Sequence, residues 1–315
     1  MLRPALRRLI LLLMTVIAAS SLLFALIHLG GDPIDGFVAP GSSPEVRQQV
    51  RERIGLDRPL TEQYGVYIWR GLTGDFGESW RDRQPALAAV LARLPTSLGL
   101  AGVAIVIAVV AGVSAGIMSA LPWPGPIQAA VRLLAMVGQA IPSFWLGTLC
   151  IFLFAATLGW LPASGNDGWR SVILPAFTVA AYPGSVLARI IQASMIERSS
   201  RPYVTTARGK GLRERTVWIR HVLPNAVLPA LGFMGVQAGF LVGGTIVVES
   251  VFAYPGIGRL ALQAATERDL PVLHAFVVVT VLLVSAVNIV IDAVSRGIDP
   301  RQRQRSTPGL GAARG

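Results

Sequence analysis

The sequence predicts an all-α integral membrane protein with six membrane-spanning helices. Three observations carry that expectation. Only 14% of the 315 residues are charged and 53% are hydrophobic, whereas a soluble domain carries about 25% charged residues; lipid must cover what charge cannot. Six uncharged runs reach the roughly 20 apolar helical residues needed to cross a hydrocarbon core about 30 Å thick. Arginines gather at the ends of those runs and not on one basic face with interleaved aromatics, so the net charge of +11 marks membrane boundaries and not a nucleic-acid partner.

The first run, Leu9–Leu29, follows Arg3, Arg7 and Arg8. It is longer than the about 7–15 residues of a secretory h-region, and the Gly30-Gly31-Asp32-Pro33 turn offers no clean cleavage site. Residues 1–29 are therefore expected to be a short cytoplasmic N-terminus and a retained first helix. Residues 30–95 are expected to form a small extracytoplasmic insert. Gly30–Leu94 holds eight arginines and nine acids, close to the balance of a translocated segment. Within it Ser42, Ser43 and Pro44 precede Glu45, Val46, Val50 and Ile54, an N-cap followed by an apolar stripe. A second short helix is expected from near Pro59, with Leu60, Tyr64, Tyr67 and Ile68 on one face.

The core, 96–298, holds the runs Thr96–Leu121, Leu133–Leu161, Ser171–Ala188, Asn225–Val248 and Leu270–Ile291. Leu133–Leu161 is long and contains Pro142, so its start is expected as a separate or kinked helix. Ser171–Ala188 stops at Arg189, which can snorkel to the interface while Ile190 and Ile191 continue the helix. Gly232, Gly235, Gly239, Gly243 and Gly244 give the fifth run a small-residue face, suited first to close helix packing and second to lining a pathway. The tail, 299–315, is rich in Arg, Gln, Gly and Pro and reads as disordered. No internal repeat of useful length appears, which argues against a fused inverted-repeat transporter.

Arginine placement gives the orientation. The N-terminus, the segment between the fourth and fifth runs and the C-terminal tail are all arginine-rich, and an even number of spans puts them on one side. All three are expected to be cytoplasmic in a multi-pass protein of the cell membrane.

Little in the sequence speaks for catalysis. Cys150 is the only cysteine, inside an apolar run with no second thiol for a disulfide or metal site. His28, His221 and His274 never take a ligand spacing and are expected at interfaces or in loops. Glu249 and Asp292 lie at the ends of the fifth and sixth runs. Glu249 is expected at the interface and Asp292 paired with Arg296 four residues on; a proton relay built on two boundary carboxylates has thin support.

The informative segment is the fourth loop, 197–224. Tyr203-Val204-Thr205-Thr206-Ala207-Arg208-Gly209-Lys210-Gly211-Leu212 is followed by His221-Val222-Leu223-Pro224. Small residues at Thr206, Ala207 and Gly209 let a short helix press against a partner, with a basic rim around it. Gly211 can take a positive φ and end that helix, and Pro224 can start the next at its first turn. The loop is no nucleotide site. A P-loop needs Gly, four residues, then Gly-Lys-Ser/Thr; before the single Gly-Lys pair, Gly209-Lys210, Val204 stands for the first glycine, and Gly211 replaces the hydroxyl residue.

This loop resembles the Glu-Ala-Ala motif of binding-protein-dependent ABC importers. Thr205, Thr206, Ala207, Gly211, Leu223 and Pro224 fall on its spacing, with threonines for the first Glu and Ala, and His221 where Ile is usual. Further segments resemble the first-permease side of the dipeptide/oligopeptide/nickel family. These are Gly55-Leu56-Asp57-Arg58-Pro59-Leu60, Gly74-Asp75-Phe76-Gly77-Glu78-Ser79, and Ile141-Pro142-Ser143-Phe144-Trp145-Leu146-Gly147. They continue with Leu158-Gly159-Trp160-Leu161-Pro162, Val248-Glu249-Ser250-Val251-Phe252-Ala253-Tyr254-Pro255-Gly256-Ile257-Gly258-Arg259-Leu260, and Asp299-Pro300-Arg301. The resemblance spans residues 1–303.

What it implies is a type I importer permease: a non-catalytic subunit forming the pathway with a second, different permease. Two separate ATPase subunits would bind ATP and Mg, and an extracytoplasmic binding protein would deliver di- or oligopeptides. Tyr203, Thr205, Thr206, Ala207, Arg208, Gly209, Lys210, Gly211, Leu212, Leu223 and Pro224 would then couple to the ATPase. Nickel or glutathione is the alternative cargo, and a self-contained secondary transporter the alternative mechanism.

Overall fold

The computed structural model describes residues 2–30, 32, 34, 38, 41–121 and 125–298, with side chains defined except at 2–5, 53, 54, 231, 238, 240–244, 292 and 294–298. The Asp292–Arg296 pair and the tail expected to be disordered lie outside the described side chains and residues. Among the described residues, regular structure is helical, apart from one isolated bridge between Glu78 and Pro85.

Among the described residues, five helices are long and apolar enough to cross a membrane: Leu6–Leu29, Ala86–Ala120, Arg170–Ser199, Glu214–Gln237 and Leu270–Ile291. A sixth span exists if Gly125–Ala140 and Ser143–Thr157, bent by 114°, count together. The expected third run, Leu133–Leu161, is thus broken at Pro142, as its proline implies: the residue before a proline is driven out of the α region. The fifth run differs from expectation. It begins at Glu214 and stops at Gly244, because Thr245 interrupts it, so Val248 belongs to a separate short helix.

In chain order the helices are α1 (Leu2–Leu29), α2 (Pro44–Ile54), α3 (Leu60–Thr73), α4 (Ala86–Ala120), α5 (Gly125–Ala140) and α6 (Ser143–Cys150), which runs into a π-helical segment, Ile151–Thr157. Next come α7 (Arg170–Ser199), α8 (Pro202–Gly209) and α9 (Glu214–Thr216), a second π-helical segment, Val217–Val222, and α10 (Leu223–Gly244). The last are α11 (Ile246–Val251), α12 (Ile257–Thr266) and α13 (Leu270–Ile298). Ser43 caps α2 by accepting from the Val46 N–H at 3.5 Å.

These elements form two compact units of interleaved segments. The first comprises Met1–Ala101, Gly147–Pro175 and Val242–Ser285. Its core joins Val16, Phe76, Val90, Leu260, Val272 and Val278, drawn from α1, the insert, α4, α12 and α13. Ser79 and Arg81 of the insert bond to Asp269 and Glu267 just before α13, and Tyr64 of α3 shares a 2.7 Å hydrogen bond with Ser21 of α1. The expected insert is therefore a packed structure.

The second unit comprises Gly102–Leu146, Ala176–Leu241 and Ala286–Gly315. Within it α4 and α7 meet backbone to backbone through small residues spaced four apart: Ala108, Gly112 and Gly116 against Gly184 and Ala188. A Cβ on Gly112 would stand 2.6 Å from the Gly184 carbonyl oxygen, and one on Gly116 2.8 Å from that of Ala188. Lipid is as apolar as leucine, so association in a membrane relies on such close van der Waals contact. On the expected glycine face of α10, a Cβ on Gly235 would lie 2.6 Å from Ile291 of α13, whereas Gly232 is open. Packing is the role of the former.

Gly116→Leu should pry α4 from α7. Overpacking costs about 1–3 kcal/mol, read as a lower midpoint in thermal unfolding of the purified protein in detergent. Gly102→Leu on the same helix, with no atom within 4 Å, should leave the midpoint unchanged.

Candidate functional site

The sequence singled out the loop between the fourth and fifth runs, and the structure makes it a short helix welded to its own subunit. Pro202 starts α8 in the first turn, where its missing N–H costs nothing. Val204 and Ala207, three residues apart and so on one face, are buried at 0% and 5% exposure. They pack with Leu187, Ile191 and Met195 of α7 and with Val217, Val222 and Ala226. Ala207 was expected on the face turned to a partner; it faces inward instead. The outward face consists of Tyr203, Thr205, Thr206, Arg208, Gly209 and Lys210, continued by exposed Gly211 and Leu212.

The end of α8 follows the expectation. Gly211 has φ +76°, the left-handed conformation that closes a helix without Cβ strain. Arg208 is committed within the loop: its Nε and Nη2 donate to both carboxylate oxygens of Glu214, at 2.7 and 3.2 Å, and its Nη1 to the Ser199 carbonyl at 3.3 Å. The hydrogen bond to Glu214 pushes the Arg208 pKa up. Thr206 donates to the Pro202 carbonyl at 3.0 Å. Lys210, Arg213, Arg215 and Arg220 form no ion pair among the described residues and supply the basic rim. Leu223 is half-buried against the α7–α8 core and Pro224 is exposed. Pro224 is the second residue of α10 and so lies in its first turn, as expected, directly after the π-helical segment Val217–Val222, whose wider turn accommodates the missing N–H and the clash a proline brings to a regular helix.

A second polar centre lies in the first unit. Glu249 was expected at an interface, but its side chain is 0% exposed. Ser97 and Thr245 donate to its Oε1 at 2.6 and 2.8 Å, and the Arg259 N–H donates to Oε2 at 3.0 Å. Ser97 Oγ also accepts from the Ile257 N–H at 2.8 Å. Together Ser97 and Glu249 cap the start of α12, whose own N-cap residue, Gly256, has no side chain to do so. A Cβ on Gly256 would fall 2.3 Å from the carboxylate, so the site requires glycine there. Arg259 turns its guanidinium to the Ala253 carbonyl at 2.6 Å, and Ala253 sits at φ +48°. One carboxylate thus shapes the whole turn from α11 to α12. His274, expected at an interface or in a loop, is also buried: it stacks on Tyr67 at 3.7 Å, lies edge-on to Phe76 at 5.0 Å, and shares a 3.1 Å hydrogen bond with Ser20.

Glu249→Ala would strand three donors and leave a void. It should lower stability by about 2–4 kcal/mol, measured as denaturant or thermal unfolding in detergent. Gly256→Ala should reproduce much of that loss, and unchanged unfolding in both would refute the capping role.

Comparison with known proteins bears on both centres. The family described as binding-protein-dependent transport system inner membrane component matches residues 112–304, which contain the loop and the Glu249 turn. The glutathione transport system permease protein GsiC of Escherichia coli (strain K12) is 38% identical over 309 residues, covering 97% of this chain and all of the relative. The protein of the same name in Shigella dysenteriae serotype 1 (strain Sd197) matches equally. Among solved structures, a chain of the inward-facing MetNI methionine ABC transporter aligns with TM-score 0.58 at 17% identity, covering 68% of this chain and 98% of that one. A chain from the structure of an amino acid ABC transporter with histidines gives 0.54 at 17%, covering 66% and 94%. These structures speak to the fold, an ABC importer permease fold of type I.

Proposed function

Because this chain belongs to the family of binding-protein-dependent transport system inner membrane components, we propose that it is one of two different permeases in an ABC importer of short peptides, glutathione among them. The observation that carries the cargo is the 38% identity to a glutathione permease over 97% of the chain; glutathione is itself a tripeptide. In this reading a binding protein outside the membrane delivers the peptide, and two ATPase subunits on the other side bind Mg and ATP. The chain has no P-loop of its own, so the energy enters through α8.

The outward face of α8 suits that role. It is small, exposed and rimmed by cations with no ion pair among the described residues, while Val204 and Ala207 anchor the helix to α7 and to the start of the α9–α10 run. A push on α8 therefore moves packed helices and not a loose loop. The arginine excess supports placing the N-terminus, α8 and the tail in the cytoplasm, with α2 and α3 outside.

Reconstituted importer should take up a dipeptide or glutathione in an ATP-dependent way when the binding protein is present. Uptake of nickel alone, or proton-driven uptake by this chain alone, would overturn the reading. Thr206→Trp should weaken ATPase docking by about five- to hundredfold, the equivalent of about 1–3 kcal/mol of overpacking, while the subunit folds normally. Ala207→Trp should instead disrupt the subunit itself. Normal transport by the Thr206→Trp complex would remove α8 from coupling.

Orientation is tested by single cysteines in a Cys150→Ala background. Thr61→Cys and Ser164→Cys should react with an impermeant thiol reagent added to intact cells, and Arg213→Cys should not. The reverse pattern would invert the topology.

A further inference from the structure

We propose that the insert carries its own binding pocket for a zwitterionic di- or tripeptide, on the permease and separate from the external binding protein. This deepens the peptide reading above and rests on it. The pocket is a cavity of about 420 Å³ within the first unit, in the usual size range of ligand sites, about 300–1,000 Å³. It is bounded by the end of α1, the turn after α2, one face of α3, the loop after it and the start of α13.

The α3 face is the informative wall. Gln63, Val66, Tyr67 and Arg70 line the cavity at helical spacings of about three and four residues, placing apolar surface in the middle and a polar group at each end. Opposite chemistry comes from both signs of charge. Arg58 and Arg70 line the cavity and form no ion pair among the described residues, so two guanidinium groups are available to a carboxylate. Glu52 and Glu78 line it as well, and an α-amino group needs such partners. Between them stand aromatic rings, Tyr67 and Trp80 among them, that can cover an apolar side chain.

The Tyr67 hydroxyl adds an independent sign of a missing partner. It is buried and has no hydrogen-bond partner among the described residues, although a buried phenol ordinarily finds one. Its ring is fixed by the 3.7 Å stack on His274, so the hydroxyl cannot swing out to water. A purely structural cavity would gain from phenylalanine here. A cavity with both charges, an unpartnered hydroxyl and aromatic walls suits a molecule carrying a free carboxylate, a free amine and an apolar side chain. At the extracytoplasmic end of α1 and α13, such a pocket would take a peptide near where the binding protein releases it.

The test is direct binding, with the assembled importer in lipid nanodiscs and neither binding protein nor ATP present. Calorimetric titration with the dipeptide Ala-Phe should show one saturable site, lost when the probe is N-acetylated and C-amidated. Arg70→Gln and Tyr67→Phe should each weaken it about ten- to hundredfold, with the thermal midpoint of Tyr67→Phe equal to or above wild type. Equal dipeptide binding by wild type and both variants would place the site elsewhere and overturn the proposal. No dipeptide binding, or saturable binding of glycerol 3-phosphate in its place as for a lipid headgroup, would overturn it too. Failure of the complete importer to transport peptide would instead strike the function, because this titration needs neither delivery nor hydrolysis.

Discussion

A peptide group left without a hydrogen bond in hydrocarbon costs several kcal/mol, and this chain interrupts its apolar helices repeatedly. Each interruption must therefore be satisfied from within. At the turn from α11 to α12 the solution is a carboxylate: Glu249 and Ser97 take up the first N–H groups of α12, and the Arg259 guanidinium takes up the Ala253 carbonyl. At Pro224 the solution is a π-helical segment, with Asn225 donating to the His221 carbonyl at 3.0 Å. The broken helices are tolerated only because such groups are in place.

The same constraint explains which parts of the fold were legible in the sequence. Spans could be counted from uncharged length, and the break in the third run from Pro142, since both depend on local chemistry. The Ser43 cap and the closing turn at Gly211 were readable for the same reason. The burial of Glu249 was not, because its partner Ser97 lies 152 positions away and nothing local distinguishes a capping carboxylate from an interfacial one. His274 was missed likewise: Ser20 is 254 positions from it. One longer-range signal was present and unread. Gly112 and Gly116 are spaced as small residues at a membrane helix crossing are, and Gly184 with Ala188 repeats the spacing on the partner helix.

The direction in which α8 faces was also beyond the sequence. Over eight residues there are too few turns for periodicity to separate an outward small-residue face from an inward one, and Val204 is the only residue whose burial its chemistry announces. An isolated helix of this length is marginal in water. Its existence depends on the tertiary contacts of Val204 and Ala207, so the exposed face of the helix and the core beneath it cannot be altered independently at those two positions.

That dependence accounts for how this loop departs from the Glu-Ala-Ala pattern. Three positions differ: Thr205 and Thr206 are exposed, with Thr206 satisfying its hydroxyl on its own helix, and His221 is half-buried in the π-helical segment. Neither threonine belongs to the buried core beneath the helix. The positions that match have structural reasons to match. Ala207 is buried among Ile191, Met195 and Val222, where a larger side chain has no room. Gly211 holds a positive φ, and Leu223 packs against the same core. The motif is therefore two things superposed: a fixed internal frame that builds the helix, and an exposed face that the packing beneath it does not constrain. Tyr203, Thr205, Thr206 and Lys210 lie on that exposed face, so they can vary while the frame remains.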